Sequence, residues 1–251
     1  MLALEFPPIN EILRWRDLFP TFNKVALISV AAALVSILIF LLAARKDALK
    51  APKGVRNLAE MIVEFIEDQI IMPTMGRTGM AWTPFLLSLF VFIYLCNLPG
   101  IIPVIYMPAT ARIAIPMFLS LLVWVIFIGV GFKHQGPKYI TNSLFPPGVP
   151  KPLYILVAPI EFISTFLVRP FSLTVRLFAN MLAGHILLVT FALLTEELVK
   201  ADSFALKPVA ILPFFMLAFI TAFEVLVGFL QAYIFTILAA VYIGGAAHPD
   251  H

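Results

Sequence analysis

Cysteine is almost missing from this 251-residue chain, and charge is scarce. The one cysteine, Cys96, excludes an intramolecular disulfide and a cysteine-cluster metal site. Only 12% of residues are Asp, Glu, Lys or Arg, against 62% apolar residues and a mean hydropathy of +1.02. A soluble domain carries about twice that share of charge, and a chain of this size cannot hide so much apolar area inside itself. A soluble enzyme, a nucleic-acid reader and a disordered protein are therefore excluded, and lipid is the remaining solvent. The net charge of +3 is spread over loops between apolar runs, so it speaks to orientation in a membrane. The sequence also lacks HExxH, GxSxG, Cys/His clusters and paired carboxylates, which leaves a membrane enzyme unsupported. No cofactor or metal is expected. The first 24 residues mix charge and proline before any apolar core, so no cleavable signal is expected.

What is there is an all-α integral membrane protein of about five crossing helices. The first runs from Val25 to Ala44 and is stopped by Arg45, Lys46 and Asp47. Twenty residues at about 1.5 Å each match a hydrocarbon core of about 30 Å. A hairpin over 82–132 follows, broken by Asn97-Leu98-Pro99-Gly100 and a proline-rich turn from Ile101 to Pro108. The last two apolar regions, from Pro152 to Thr195 and from Leu206 to Ile243, are each roughly twice the length a bilayer needs. Each is too short for two spans and a turn, so strong tilt or a break is expected, with Pro159 and Pro170 as candidate bends. Together 152–247 reads as a pair of long tilted helices inside an assembly.

Between the first two spans, 45–81 forms a loop containing an amphipathic helix from Leu58 to Met72. Glu60, Glu64, Glu67 and Asp68 fall on one helical stripe, while Met61, Ile62, Phe65, Ile66 and Ile70 face elsewhere. The stripe is a solvated face or a docking surface for a soluble partner, and repulsion between acids and anionic lipid favours docking. Nine Lys/Arg residues fall in the loops 45–81 and 133–151, and six on the opposite side. The positive-inside rule then makes 1–24 extracytoplasmic and the C-terminus cytoplasmic.

Glu161, Arg169, Arg176, His185 and Glu224 sit in apolar sequence. An arginine at mid-bilayer costs about 2.5–3.5 kcal/mol on insertion scales, and it cannot escape by losing its proton. Arg169, beside Pro170, is near enough to an interface for snorkelling to explain it. Arg176 lies deeper and must face a carboxylate, water or a protein cavity. At 100° per residue, Ala179, Asn180, Ala183 and Gly184 share its side, small residues that let another helix approach closely. No acid lies on that face within two turns, so the partner carboxylate belongs to another subunit. His185 projects about 180° away. Glu224, Gly228 and Gln231 share one face of the last helix. A Glu and a His on neighbouring helices can exchange protons near neutral pH. With Asn180 and Ser172, these groups read as a water-lined proton path. Glu161, with Ser164 and Thr165 one turn on, lies near the cytoplasmic start of its region and suits a second, separate path.

Several stretches resemble subunit a of the rotary F-type ATP synthase. They are Arg169-Pro170-Phe171-Ser172-Leu173, Arg176 to His185 (RLFANMLAGH), Leu230 to Leu238 (LQAYIFTIL) and Asn97 to Pro103 (NLPGIIP). The resemblance covers roughly Pro84 to Gly244, and the arginine motif is its most specific part. It implies a non-catalytic stator in a bacterial plasma membrane, with Arg176 facing the carboxylates of a rotating c-ring and a peripheral stalk of b-type subunits alongside. It assigns Asn180, His185, Glu224 and Gln231 to the polar pathway near the ring and the outer half-channel, and Glu161 to the inner one. Two departures stand out. Family members differ over which helix carries the Glu and which the His; here His185 comes first and Glu224 second. In the hairpin segment Pro108 to Arg112 a basic residue stands where relatives often place an acid. The alternative is a stand-alone proton-coupled transporter or channel. It would need its own counter-ion for Arg176 and usually an internal repeat, and neither is visible.

Overall fold

The computed structural model describes residues 24–43, 54–102, 108–145, 151–200 and 207–247. Residues 1–23 of the extracytoplasmic segment expected over 1–24, the basic stretch 45–53 and part of the proline-rich turn lie outside them. Among the described residues every regular element is helical. Helix α1 is Lys24–Ala43. Helix α2, Val55–Ile66, continues through a π turn, Glu67–Ile71, into the short α3, Met72–Met75. A 3-10 segment, Gly76–Trp82, leads to α4, Thr83–Asn97. Then come α5, Ala114–Gln135, and α6, Lys138–Leu144. Helix α7, Tyr154–Ile163, passes through a second π turn, Ser164–Val168, into α8, Arg169–Lys200. Helix α9 is Ile211–Ala247. Four stretches (56–100, 114–135, 154–200 and 208–247) are long and apolar enough to cross a membrane, and α1 adds a shorter apolar run. The protein is an all-α membrane protein.

The two long helical stretches are continuous. Pro159 sits inside α7, and Pro170 occupies the first turn of α8 just after the π turn. Proline removes the N–H that would bond four residues back and pushes against that carbonyl. The wider π turn takes up this mismatch without ending the helix.

Helix α2 gives up its apolar side to protein rather than to lipid. Ile66, Ile70 and Ile71 are fully buried. The Phe65 ring lies 5.8 Å from each of Phe90, Phe229 and Tyr233, which joins α2 to α4 and α9. Gly76, at φ 61°, turns the chain back toward α4 in a backbone conformation that glycine adopts without strain. Glu67 accepts a 3.1 Å hydrogen bond from Thr83. Glu60, Glu64 and Asp68 remain exposed, and Arg56 pairs with Glu60 at 2.9 Å.

Helix α8 buries Leu173, Leu177, Met181, His185 and Leu188, a stripe spaced by three and four residues. The C-terminal half of α9 packs through Ala232, Ala239 and Ala240, small residues that let helices approach closely. Its N-terminal half is different: Leu212, Phe214, Phe215, Phe219 and Phe223 are all exposed. Buried polar bonds fix the crossings. Asn97 Nδ2 donates to the Gly228 carbonyl at 3.3 Å, and Thr110 Oγ1 donates to Asn97 Oδ1 at 2.5 Å. The Ser120 and Thr174 hydroxyls meet at 2.6 Å between α5 and α8.

Truncating Ile70 to Ala opens a cavity where α2, α4 and α9 meet and is expected to cost about 2–5 kcal/mol. Gln69→Ala, one residue away and exposed, is expected to stay within about 0.5 kcal/mol. Unfolding of the purified protein in detergent checks this, and equal losses would contradict the burial of α2 against the helices.

Candidate functional site

The face of α8 opposite its buried stripe carries Arg176. The side chain is exposed, and along the same face Ala179, Asn180, Ala183 and Leu187 are exposed too. Among the described residues the ion pairs are Arg56 with Glu60 and Lys200 with Glu196, so no acid of the described chain neutralises Arg176. The arrangement is a fixed cation on a strip of small and apolar side chains, open to whatever lies beside α8. The Ser120–Thr174 contact holds the opposite side of the helix against α5, and Thr174 also donates to the Pro170 carbonyl at 2.8 Å. This sets the rotation of α8 that turns Arg176 outward.

His185 points the other way. It is 2% exposed, and neither ring nitrogen has a hydrogen-bond partner within the chain. Glu224, half-buried on α9, places its carboxylate against the backbone of Gly184, the residue before His185. A Cβ added at Gly184 would overlap Glu224 Oε1 and come within 2.9 Å of its carboxyl carbon. Glycine is therefore what admits the carboxylate to α8. One turn along α9, Gly228 is buried and receives the Asn97 hydrogen bond; Gln231 is 4% exposed. The turn Ala109–Ala111 is buried and packs against α8, which brings Thr110 and Asn97 to the same region. The structure thus sets Glu224 beside the residue that precedes His185, and Asn97, which donates to Gly228, with Thr110 one turn along α9. Asn180 and Arg176 stay on the opposite, open face. Asn97 and Thr110 were not among the expected polar residues. The sequence signals were the Asn97-Leu98-Pro99-Gly100 break for Asn97 and the hairpin segment Pro108 to Arg112 for Thr110.

Glu161 lies elsewhere, in a cavity of about 270 Å³ that it lines with Tyr139, Ser143, Thr165, Arg169 and Tyr242. A second cavity, of about 670 Å³, lies between the α3 region and the end of α9, lined by Thr74, Thr78 and Gly244 among others. Val241 and Gly245 border both, so the C-terminal end of α9 is flanked by open space on two sides. Ser164 and Ser172 are half-buried and line neither cavity. Arg169 does more than snorkel. Its guanidinium carbon sits 5.1 Å from the Tyr242 ring centroid and 6.0 Å from that of Phe127, so aromatic faces on α9 and α5 receive the charge. Burial pushes the Tyr139 phenol above its ordinary range, opposed by a Ser143 hydrogen bond and the Arg169 charge. No three His, Cys, Asp or Glu side chains gather into a metal site among the described residues.

Two separate polar regions therefore lie on different parts of the α8/α9 pair, with an open cation near the middle of the continuous 154–200 stretch. A family model described as ATP synthase A chain matches residues 25–244. Among similar proteins, ATP synthase subunit a of Frankia alni is 43% identical over 91% of this chain and 79% of its own length. That of Rhodococcus erythropolis is 40% identical over 91% of this chain and 83% of its own. The subunit a of Hyphomonas neptunium is 38% identical over 100% of this chain and 99% of its own. The chain belongs to the subunit a family of the F-type ATP synthase.

Proposed function

We propose that this chain is the proton-conducting stator of the synthase, a subunit that does no covalent chemistry itself. It would hold two offset half-channels and Arg176 against a rotating ring of c subunits. The observation that carries this reading is the exposure of Arg176 on an apolar strip with no acid of the described chain beside it. A buried or membrane-facing cation needs a counter-charge. Small residues at 179 and 183 leave room for a helix that brings one.

The mechanism follows from charge. A carboxylic acid approaching a fixed cation is driven to ionise, because the opposite charge favours its charged form. The proton leaves through one aqueous path before the carboxylate meets Arg176, and a new proton arrives from the other path after it passes. Arg176 also blocks proton movement straight between the paths. The outer path is assigned to His185, Glu224, Gln231 and Asn180, with Asn97 and Thr110 shaping it. The inner path is assigned to Glu161 and the 270 Å³ cavity, with Ser164 and Ser172 near it. The N-terminus lies outside and the C-terminus in the cytoplasm, as the loop charges favour. Each charge crossing 100 mV supplies about 2.3 kcal/mol, so several protons must pass for each ATP made elsewhere in the complex. Peripheral b-type subunits would keep this chain from turning with the ring.

Arg176→Ala is expected to abolish proton-driven ATP synthesis in reconstituted vesicles while the complex still assembles; synthesis at the normal rate would overturn the reading. His185→Ala combined with Glu224→Ala should slow passive proton entry, measured with a pH-sensitive dye, and an unchanged flux would remove both from the path. Gly184→Ala tests the contact between the helices. The atom it meets is the end of a flexible side chain, so the fold should survive while the carboxylate is displaced and proton entry falls. Gly129→Ala on α5, where an added Cβ likewise meets nothing within 4 Å and which lines neither cavity, should leave entry unchanged. Equal effects of the two substitutions would refute the role given to Gly184.

A further inference from the structure

We infer that Arg169 is a second fixed cation of the stator, one that biases the inner path toward proton release. The inference rests on the reading of the inner path given above and adds a residue and a direction to it. Arg169 and Arg176 are seven residues apart on one helix, so they lie on nearly the same stripe, about 10 Å apart along the axis. Arg169 is half-buried, lines the same cavity as Glu161, and has no ion pair among the described residues. Its charge is held in place by rings from two other helices, Phe127 of α5 and Tyr242 of α9. Aromatic faces fix a guanidinium without cancelling its charge, whereas a carboxylate partner would cancel it. The charge therefore acts on the cavity and on whatever acid is presented there.

The titratable groups facing Arg169 are Tyr139 from α6, Glu161 from α7 and Tyr242 from α9; α5 offers only the uncharged Phe127 ring, and Arg176 is the next cation on its own helix. Tyr139 already senses the Arg169 charge. In the release step the carboxyl O–H of a ring subunit gives its proton to cavity water, which carries it away as hydronium and leaves the carboxylate. A positive charge beside the cavity favours that ionised product. Reloading from the same side is disfavoured to the same extent. Arg169 thus makes this mouth an exit under synthesis conditions, and it also narrows the pH range over which ATP hydrolysis can load protons there.

The test uses the whole complex in vesicles, with wild type, Arg169→Gln and Arg169→Lys. ATP synthesis and ATP-driven proton pumping are each followed against the pH on the ATP-making side, at constant outer pH and membrane potential. Removing the charge should move both midpoints to higher pH by about half to one unit. Between the old and new midpoints synthesis then falls while pumping rises, a split that a merely structural role would not give. Arg169→Lys should return both midpoints to near wild type. Ser143→Asp leaves Arg169 and its rings untouched but adds an opposing charge to the cavity, and it should shift the midpoints the same way even if the Gln variant assembles poorly. Unshifted midpoints in an assembled Gln or Asp variant would overturn the inference, as would equal loss of both activities at every pH or failure of Lys to restore the profile. Arg176→Ala runs beside them. If it abolishes synthesis while Arg169→Gln shifts nothing, only this inference fails; if it leaves synthesis intact, the underlying reading fails.

Discussion

An uncompensated guanidinium on an apolar helix face is the constraint from which the rest of this structure follows. Arg176 cannot shed its proton, and lipid cannot solvate it. Under the proposed function the chain must hold this group where an acid of another subunit can reach it, and must hold the helix so that it does not rotate away. The buried stripe of α8 from Leu173 to Leu188 and the Ser120–Thr174 contact serve the second need. The small residues along the open face serve the first.

The polar groups are divided by the same helix. His185 lies on the packed side of α8, the Glu224 carboxylate meets the same helix at the neighbouring Gly184, and α9 is joined to α4 through Asn97 and the Gly228 carbonyl. Glu161 and Arg169 share a cavity near the C-terminal end of α9. Between the two regions Leu173, Leu177 and Met181 of α8 are buried, and the buried Thr174 hydroxyl among them is engaged by Ser120. This separation is what a two-path stator requires: a single continuous file of polar groups would let protons pass without moving a rotor.

Much of this was legible in the sequence, because a membrane simplifies the problem. Apolar runs mark spans, and the 3.6-residue period sets Arg176 and His185 on opposite faces of α8, one exposed and the other buried. What was not legible depends on contacts between helices distant in sequence. Hydropathy does not separate a face covered by lipid from one covered by protein, so the packing of Ile66 and Ile70 against α4 and α9 could not be read from α2 alone. Gly184 signals a close approach, but nothing local says that the visitor is Glu224. Arg169 looked like a snorkelling cation because its aromatic partners, Phe127 and Tyr242, stand on other helices. The π turn before Pro170 compensates a missing N–H in a way that composition does not announce.

The central claim is that the charge on Arg176 is answered from outside the chain. The most direct measurement is the distance from its guanidinium to the nearest carboxylate in a structure of the assembled complex in lipid. The account predicts an acid of a neighbouring ring subunit within about 4–6 Å, the range over which opposite charges perturb each other's ionisation. An acid of this same chain paired with Arg176, or a guanidinium standing in bulk water far from any subunit, would contradict it.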